Sequence, residues 1–212
     1  MNETGGLRTL KKERTRQAIA DAAISLFLAK GFDQVSVAEI AARAEVSKPT
    51  LFRYFATKEE LVLHRIADHQ GEAGRVVRDR PAGMSPLESL ERHYLDRLAE
   101  HDPVTGLCDH PQVLAFHRLI YETPSLSSHL LDYIAADTEA LTEALAETLP
   151  GPSELTAGLL AAQFVTVRQV LGRTNWARLA GGQALDEAHR QAVADAGTAF
   201  ALLRTGAARH GY

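Results

Sequence analysis

Cysteine occurs once in the 212 residues, at Cys108, and a single thiol excludes an internal disulfide framework. The chain shows no alternating strand pattern and no internal repeat, and no apolar run in it approaches the length of a membrane span. A Gly-rich phosphate loop, a nucleophile elbow and a metalloprotease helix are all missing, so an enzyme is not expected. The nine histidines do not repair that lack. His64 and His69 diverge on a helix, and Cys108 with His110 flanks Asp109 without a second pair at zinc spacing, so neither metal nor cofactor is expected. The opening residues carry no apolar export segment, and the protein is expected in the cytoplasm.

What is present is helix punctuation. Ser36 caps a helix with Glu39 placed to reach back, and Val35 is spaced to staple onto Ile40. Ser47 repeats the pattern, with Val46 against Leu51 and Pro49 in the first turn, where a missing N–H does little harm. Thr57 with Glu60 forms a further capping box. Helix starts this close together, with Ile40, Ala41, Val46, Leu51 and Phe55 spaced to share one core, make a helix-turn-helix, whose chemistry points at DNA. Charge agrees: residues 1–58 carry a net +4 and residues 59–212 a net −8, a basic head on an acidic body.

Val46-Ser47-Lys48-Pro49-Thr50-Leu51-Phe52-Arg53-Tyr54-Phe55-Ala56-Thr57-Lys58-Glu59-Glu60-Leu61 resembles the DNA-binding signature of the TetR family of bacterial transcriptional regulators. The upstream stretch resembles it too, from Arg14 through Ala22, Ala23, Leu26 and Phe27 to Lys30-Gly31-Phe32 and Val35-Ser36-Val37. Many members have Gly where Pro49 stands, and Pro also occurs. The resemblance covers roughly the first third of the chain. It implies an all-α protein with a three-helix DNA-binding domain at 1–58, including a disordered arm at 1–9, and a helical ligand-binding and dimerisation domain at 59–212.

The helix from Lys48 to Tyr54 is then expected in the major groove. Lys48 suits guanine or phosphate, Thr50 a base edge or backbone oxygen, Pro49 a thymine methyl, and Arg53 a base or phosphate. Tyr54 and Lys58 match family positions that hold phosphates, and Ser36, Ser47 and Thr57 add positioning contacts beside their capping roles. Phe52 and Phe55 are read as core. Arg8, Lys11, Lys12, Arg14 and Arg16 form a basic arm that either adds salt-sensitive affinity, reaches a minor groove, or remains a solvated tail.

Beyond the head, a helix is expected from Leu61 to about Val77, linking the domains as a lever, with breaks at Arg80-Pro81-Ala82-Gly83 and Pro150-Gly151-Pro152. Polar and aromatic residues interrupt the apolar faces of the later helices: His93, Tyr94, Phe116, His117, Tyr121, Tyr133, Phe164, Arg168 and Trp176. They are the candidate lining for a small apolar or aromatic effector, with Arg168 recognising an anionic or carbonyl group. Stripes on the last two helices, Leu155, Leu159, Leu160, Phe164, Val167, Val170 and Leu171 on one and Ala188, Ala192, Val193, Ala196, Ala199, Phe200 and Leu203 on the other, suit helix packing. The resemblance makes them a homodimer interface; internal core is the alternative. The functional expectation is a homodimeric repressor released from operator DNA by a small-molecule effector. A constitutive or architectural DNA-binding protein and a helical interaction module are the other readings.

Overall fold

The computed structural model describes residues 3–148 and 154–207, with no strand among them. The helices are α1 (Glu3–Lys30), α2 (Val37–Arg43), α3 (Lys48–Tyr54), α4 (Glu60–Ala67), α5 (Glu72–Arg78), α6 (Pro86–Ala99), α7 (Pro111–Glu122), α8 (Pro124–Thr148), α9 (Glu154–Ala180) and α10 (Leu185–Ala207), with a 3-10 turn at Pro103–Thr105. They form two compact units: a head of Met1–Asp68 with Arg118–Leu130, and a body of His69–His117 with Leu131–Tyr212. The division thus falls after Asp68 rather than after Lys58, because α4 buries Leu61, Val62 and Leu63 and packs on α1. The expected break at residues 150–152 lies outside the described residues.

The head is held by α1, α2, α3 and α4 around Ile19, Ala23, Phe27, Phe32, Val35, Ile40, Leu51, Phe55 and Leu61, each under about a tenth exposed. Apolar side chains buried to that degree contribute roughly 1.5–3 kcal/mol apiece. The arm expected at 1–9 is instead helical from Glu3; Met1 and Asn2 lie outside the described residues. No residue between Glu3 and Ile19 forbids helix, and the Thr15 hydroxyl donates to the Lys11 carbonyl 2.9 Å away within it. Lys11, Lys12 and Arg14 are exposed, but Arg16 is not an arm residue: its guanidinium carbon lies 5.5 Å from the Phe55 ring centre.

Two sequence-level expectations of local structure need correction. The continuous Leu61–Val77 helix is two helices, α4 and α5, because Gly71 takes a φ of 69° that a helix interior does not hold. Glu39 does not close a capping box with Ser36: Ser36 accepts the Glu39 N–H at 3.2 Å, but the carboxylate pairs with Lys30 at 2.5 Å. The other box closes with an offset, the Thr57 hydroxyl oxygen accepting the Glu60 N–H at 3.2 Å while Glu60 accepts from the Ala56 N–H at 2.7 Å. The turn between α2 and α3 is a Schellman motif, with the Val46 N–H on the Ala41 carbonyl (2.9 Å), the Glu45 N–H on the Ala42 carbonyl (3.2 Å), and Glu45 at a φ of 54°.

The body packs α10 on α9 and α6, and α5 on α6, around Leu87, Leu90, Leu98, Leu107, Leu141, Leu145, Phe164 and Phe200. Among the described residues one helix, α9, is long and apolar enough to cross a membrane by length and composition. Its buried face, including Leu160, Ala161, Phe164, Val165 and Leu171, belongs to the body core, and the half-buried Arg168 and Arg178 lie beside it. The turn after α6 is pinned by Asp102, which accepts the Val104 N–H at 2.8 Å, and by Asn175 of α9, whose amide donates to the Thr105 carbonyl at 2.9 Å.

Gly106, at a φ of 72°, approaches α9 so closely that a Cβ would stand 2.0 Å from the Gly172 carbonyl oxygen. Gly106→Ala should therefore cost about 3 kcal/mol or more in chemical denaturation, combining a disfavoured φ with overpacking; a loss under about 1 kcal/mol would mean α9 yields easily.

His64 gives the head a pH dependence. It is 4% exposed, its ring meets Phe55 edge-on at 5.6 Å, and neither ring nitrogen has a hydrogen-bond partner among the described residues. Burial, then the neighbouring Arg16 charge, holds its pKa below the usual value against the opposing pull of Asp68 and Glu13. The folded head keeps this imidazole neutral while the unfolded chain takes up a proton below about pH 6.5, so stability falls as pH drops through that value, by at most about 1.4 kcal/mol per pH unit. His64→Leu should flatten the fall in melting temperature between pH 7.5 and 5.5. Some slope remains from His117, which burial also lowers, and His69, raised by its bond to Glu72, acts in the opposite sense. Parallel curves for the variant and the parent would remove His64 from the account.

Candidate nucleic-acid interface and body cavity

A helix of only seven residues has two faces, and α3 uses them differently. Leu51, with Phe55 just past the helix, is buried in the head core, whereas Ser47, Lys48, Pro49, Phe52 and Arg53 are exposed and Thr50 and Tyr54 half-buried. The N-terminus of α3 is held by Ser47, whose Oγ accepts the Thr50 N–H at 3.2 Å and lies 2.8 Å from the Thr50 hydroxyl. Arg53 lies over the Tyr54 ring, 5.5 Å from its centre, which orients both along the outer face. Ser36 is exposed at the start of α2.

Two residues depart from expectation. Phe52, read as core, is 50% exposed on the outer face of α3. Its neighbour Leu51 fills the core position, and residues adjacent in a helix point about 100° apart. Lys58, expected as a phosphate ligand, donates to the Phe32 carbonyl at 2.5 Å and lies over the Phe32 and Phe27 rings at 4.3 and 5.4 Å. In this structure it closes the head core, and the Thr57 hydroxyl oxygen accepts the Glu60 N–H just ahead of α4.

In the body, His93, Tyr94, Phe164 and Arg168 line one cavity of about 30 Å³, joined by Glu72 and Arg97. The other effector candidates do not line it. Trp176 donates its indole N–H to the Leu114 carbonyl at 3.1 Å, tying α9 to α7. Phe116 and His117 pack ring to ring at 6.2 Å on α7, Tyr133 is half-buried on α8, and Tyr121 belongs to the head unit. Arg168 is already paired, with Asp137 at 2.5 Å.

Glu72 collects partners from the turn before α5 and from α6: His69 at 3.4 Å, His93 at 3.2 Å, and Arg97, which also reaches Asp102 at 2.6 Å. Hydrogen bonds from His69 and His93 first, and from Arg97, drive its pKa far below the carboxylate range, so it stays ionised. Burial pushes the Tyr94 phenol well above its ordinary pKa, with a smaller opposing effect from Asn175. Arg97 was legible in part, standing four residues after His93 on the same helical face. Glu72 was not, since only the packing of α5 on α6 brings it there.

The predicted stripes on α9 and α10 divide. Leu160, Phe164, Leu171, Ala188, Ala192, Ala196, Phe200 and Leu203 are buried in the body, while Leu155, Leu159, Val170 and Val193 are 71%, 54%, 59% and 42% exposed. The internal-core alternative therefore holds for one face of each helix, and an apolar face remains outside.

Residues 19–64 match the family described as "Bacterial regulatory proteins, tetR family". The chain is 36% identical over 129 residues to the HTH-type transcriptional regulator TcmR of Streptomyces glaucescens, covering 59% of this chain and 56% of that protein. The match thus spans about half the length of that relative. It is 31% identical over 102 residues to the HTH-type transcriptional repressor KstR of Rhodococcus jostii, covering 44% of each. In fold it is similar to NalD of Pseudomonas aeruginosa, described as the secondary repressor of the MexAB-OprM multidrug efflux pump, with a TM-score of 0.55 at 18% identity over 89% of this chain and 96% of that one. The head sequence, the helix-turn-helix geometry and the all-helical body converge on a likeness to the TetR family of bacterial regulators, whose family model residues 19–64 match.

Proposed function

We propose that the protein is a cytoplasmic, homodimeric repressor that reads operator DNA with α3 and is released by a small effector bound in the body. The observation that carries the reading is the division of α3 into a buried edge at Leu51 and an exposed edge of Lys48, Pro49, Phe52 and Arg53. An apolar ring half in water on a helix otherwise rich in donors suits the floor of a major groove, where thymine methyl groups lie beside acceptor edges. Lys48 and Arg53 supply base or phosphate contacts, Thr50 and Pro49 complete the face, and Tyr54 and Ser36 position it on the backbone. Ser47 acts through the helix end it caps, and Thr57 through its bond to the Glu60 N–H.

Dimerisation is supported by the outward apolar face of Leu155, Leu159, Val170 and Val193 on neighbouring helices. Two heads on one two-fold axis would read two half-sites. The repressor sense is supported by what KstR and NalD are named as.

Fluorescence anisotropy on DNA from the region upstream of the gene, across a salt series with non-specific competitor, tests the reading. Selective binding in dimer units is expected. Lys48→Ala should weaken binding and lower the salt slope by about 1, whereas Phe52→Ala should cost roughly 1 kcal/mol with an unchanged slope and lost preference at one base pair. Binding indifferent to sequence would point instead to an architectural protein, and no binding would sink the DNA assignment.

A further inference from the structure

The body cavity holds features that packing alone leaves unexplained. Tyr94 lines it at 4% exposure, and its hydroxyl makes no hydrogen bond of ordinary length and angle among the described residues; the nearby Asn175 amide, which pulls its pKa down, is engaged by the Thr105 carbonyl and Arg178. A buried hydroxyl left unpaired is costly, and burial keeps this one protonated, so it offers a donor to an incoming oxygen. Arg97 and Arg168 face the same space; Arg97 is held by Glu72 and Asp102, while Asp137 is the carboxylate on Arg168. Arg168 pairs with Asp137 through one nitrogen at 2.5 Å, and a guanidinium has five N–H donors. Leu90, Ala73 and Phe164 supply an apolar wall.

Asp137 has a second task. Its other oxygen accepts the Gly71 N–H at 2.9 Å, and Gly71 is the left-handed residue that starts α5, just past the end of the head unit. The Arg168–Asp137 pair therefore stands between the cavity and the segment by which the chain enters the body.

We propose that this cavity takes the carboxylate of a small organic acid, bound by Arg168 and the Tyr94 hydroxyl, and that the acid competes with Asp137 for Arg168 and so loosens the Gly71 start of α5. The space, about 30 Å³, holds about two waters, so it admits a carboxylate as it stands and a longer hydrocarbon as the apolar wall yields. A paired arginine is what makes the site a switch, because binding at a carboxylate costs the protein an existing contact and that cost is transmitted. The regulatory consequence rests on the effector-released reading above, but the binding itself is independent of DNA.

Isothermal titration calorimetry of the full chain with acetate, butyrate, octanoate and benzoate, each against its amide, reads the site directly. At least one acid should bind with its amide on the order of tenfold weaker or worse, as expected for a charge-assisted bond. Arg168→Gln should remove that preference and Tyr94→Phe weaken it. Asp137→Asn should tighten acid binding by freeing Arg168, an effect that a purely structural arginine would not give. Amide exchange at residues 71–75 should speed up when the acid binds. Acids and amides binding alike, no acid binding, or an Asp137→Asn protein no tighter than the parent would overturn the proposal. Release from operator by an uncharged aromatic with no acid bound would overturn it and leave the repressor reading standing; acid binding with the predicted variant effects would uphold it even if the protein bound no operator.

Discussion

A seven-residue helix is not stable alone in water, so the reading surface exists only because Leu51 and Phe55 are locked into the core of the head. Everything that positions the outer face of α3 serves that burial. The Schellman turn at Glu45 sets the angle between α2 and α3, Ser47 caps the first turn, and the aromatic cluster of Phe27, Phe32 and Phe55 takes cations on its faces from Lys58 and Arg16. Lys58 and Arg16 are thereby structural in this structure, although either would pass as a DNA ligand by residue type.

The same head contains an unbalanced element. His64 fills a core position with a side chain that has two polar atoms and no partner for either among the described residues. Arg16 adds a like charge to any proton it would take up. The surrounding apolar burial outweighs that deficit only while the imidazole stays neutral.

In the body the governing contacts are ionic and partly buried. Glu72 joins α5 to α6 through His93 and Arg97, and Asp137 joins α8 to α9 through Arg168 while also holding the Gly71 amide. Such groups are expensive to leave unpaired, which makes each pair a place where a ligand of the right charge can substitute for a partner. The glycines act differently. Gly71 and Gly106 both take positive φ, but Gly71 interrupts what the periodicity reads as one helix, and Gly106 permits a contact with α9 that no side chain would allow.

Local chemistry determined much of this protein from sequence. Caps place the starts of α2 and α3, prolines stand at the starts of α6, α7 and α8, and 3.6-residue periodicity marks the apolar stripes of α9 and α10. Those features depend on neighbours within a turn or two, so the chain order carries them. Tertiary structure decided which way equivalent residues face and which distant groups meet. Periodicity could not tell that the stripe of Leu155 to Leu171 splits into an inner and an outer face, or that Phe52 stands outside while Phe55 stands inside. Nor could it find Glu72 and Asp137, whose roles arise from residues 21 to 66 positions away. A carboxylate at a helix surface has the same sequence appearance whether it meets water or a guanidinium, and only the packing of helices settles which.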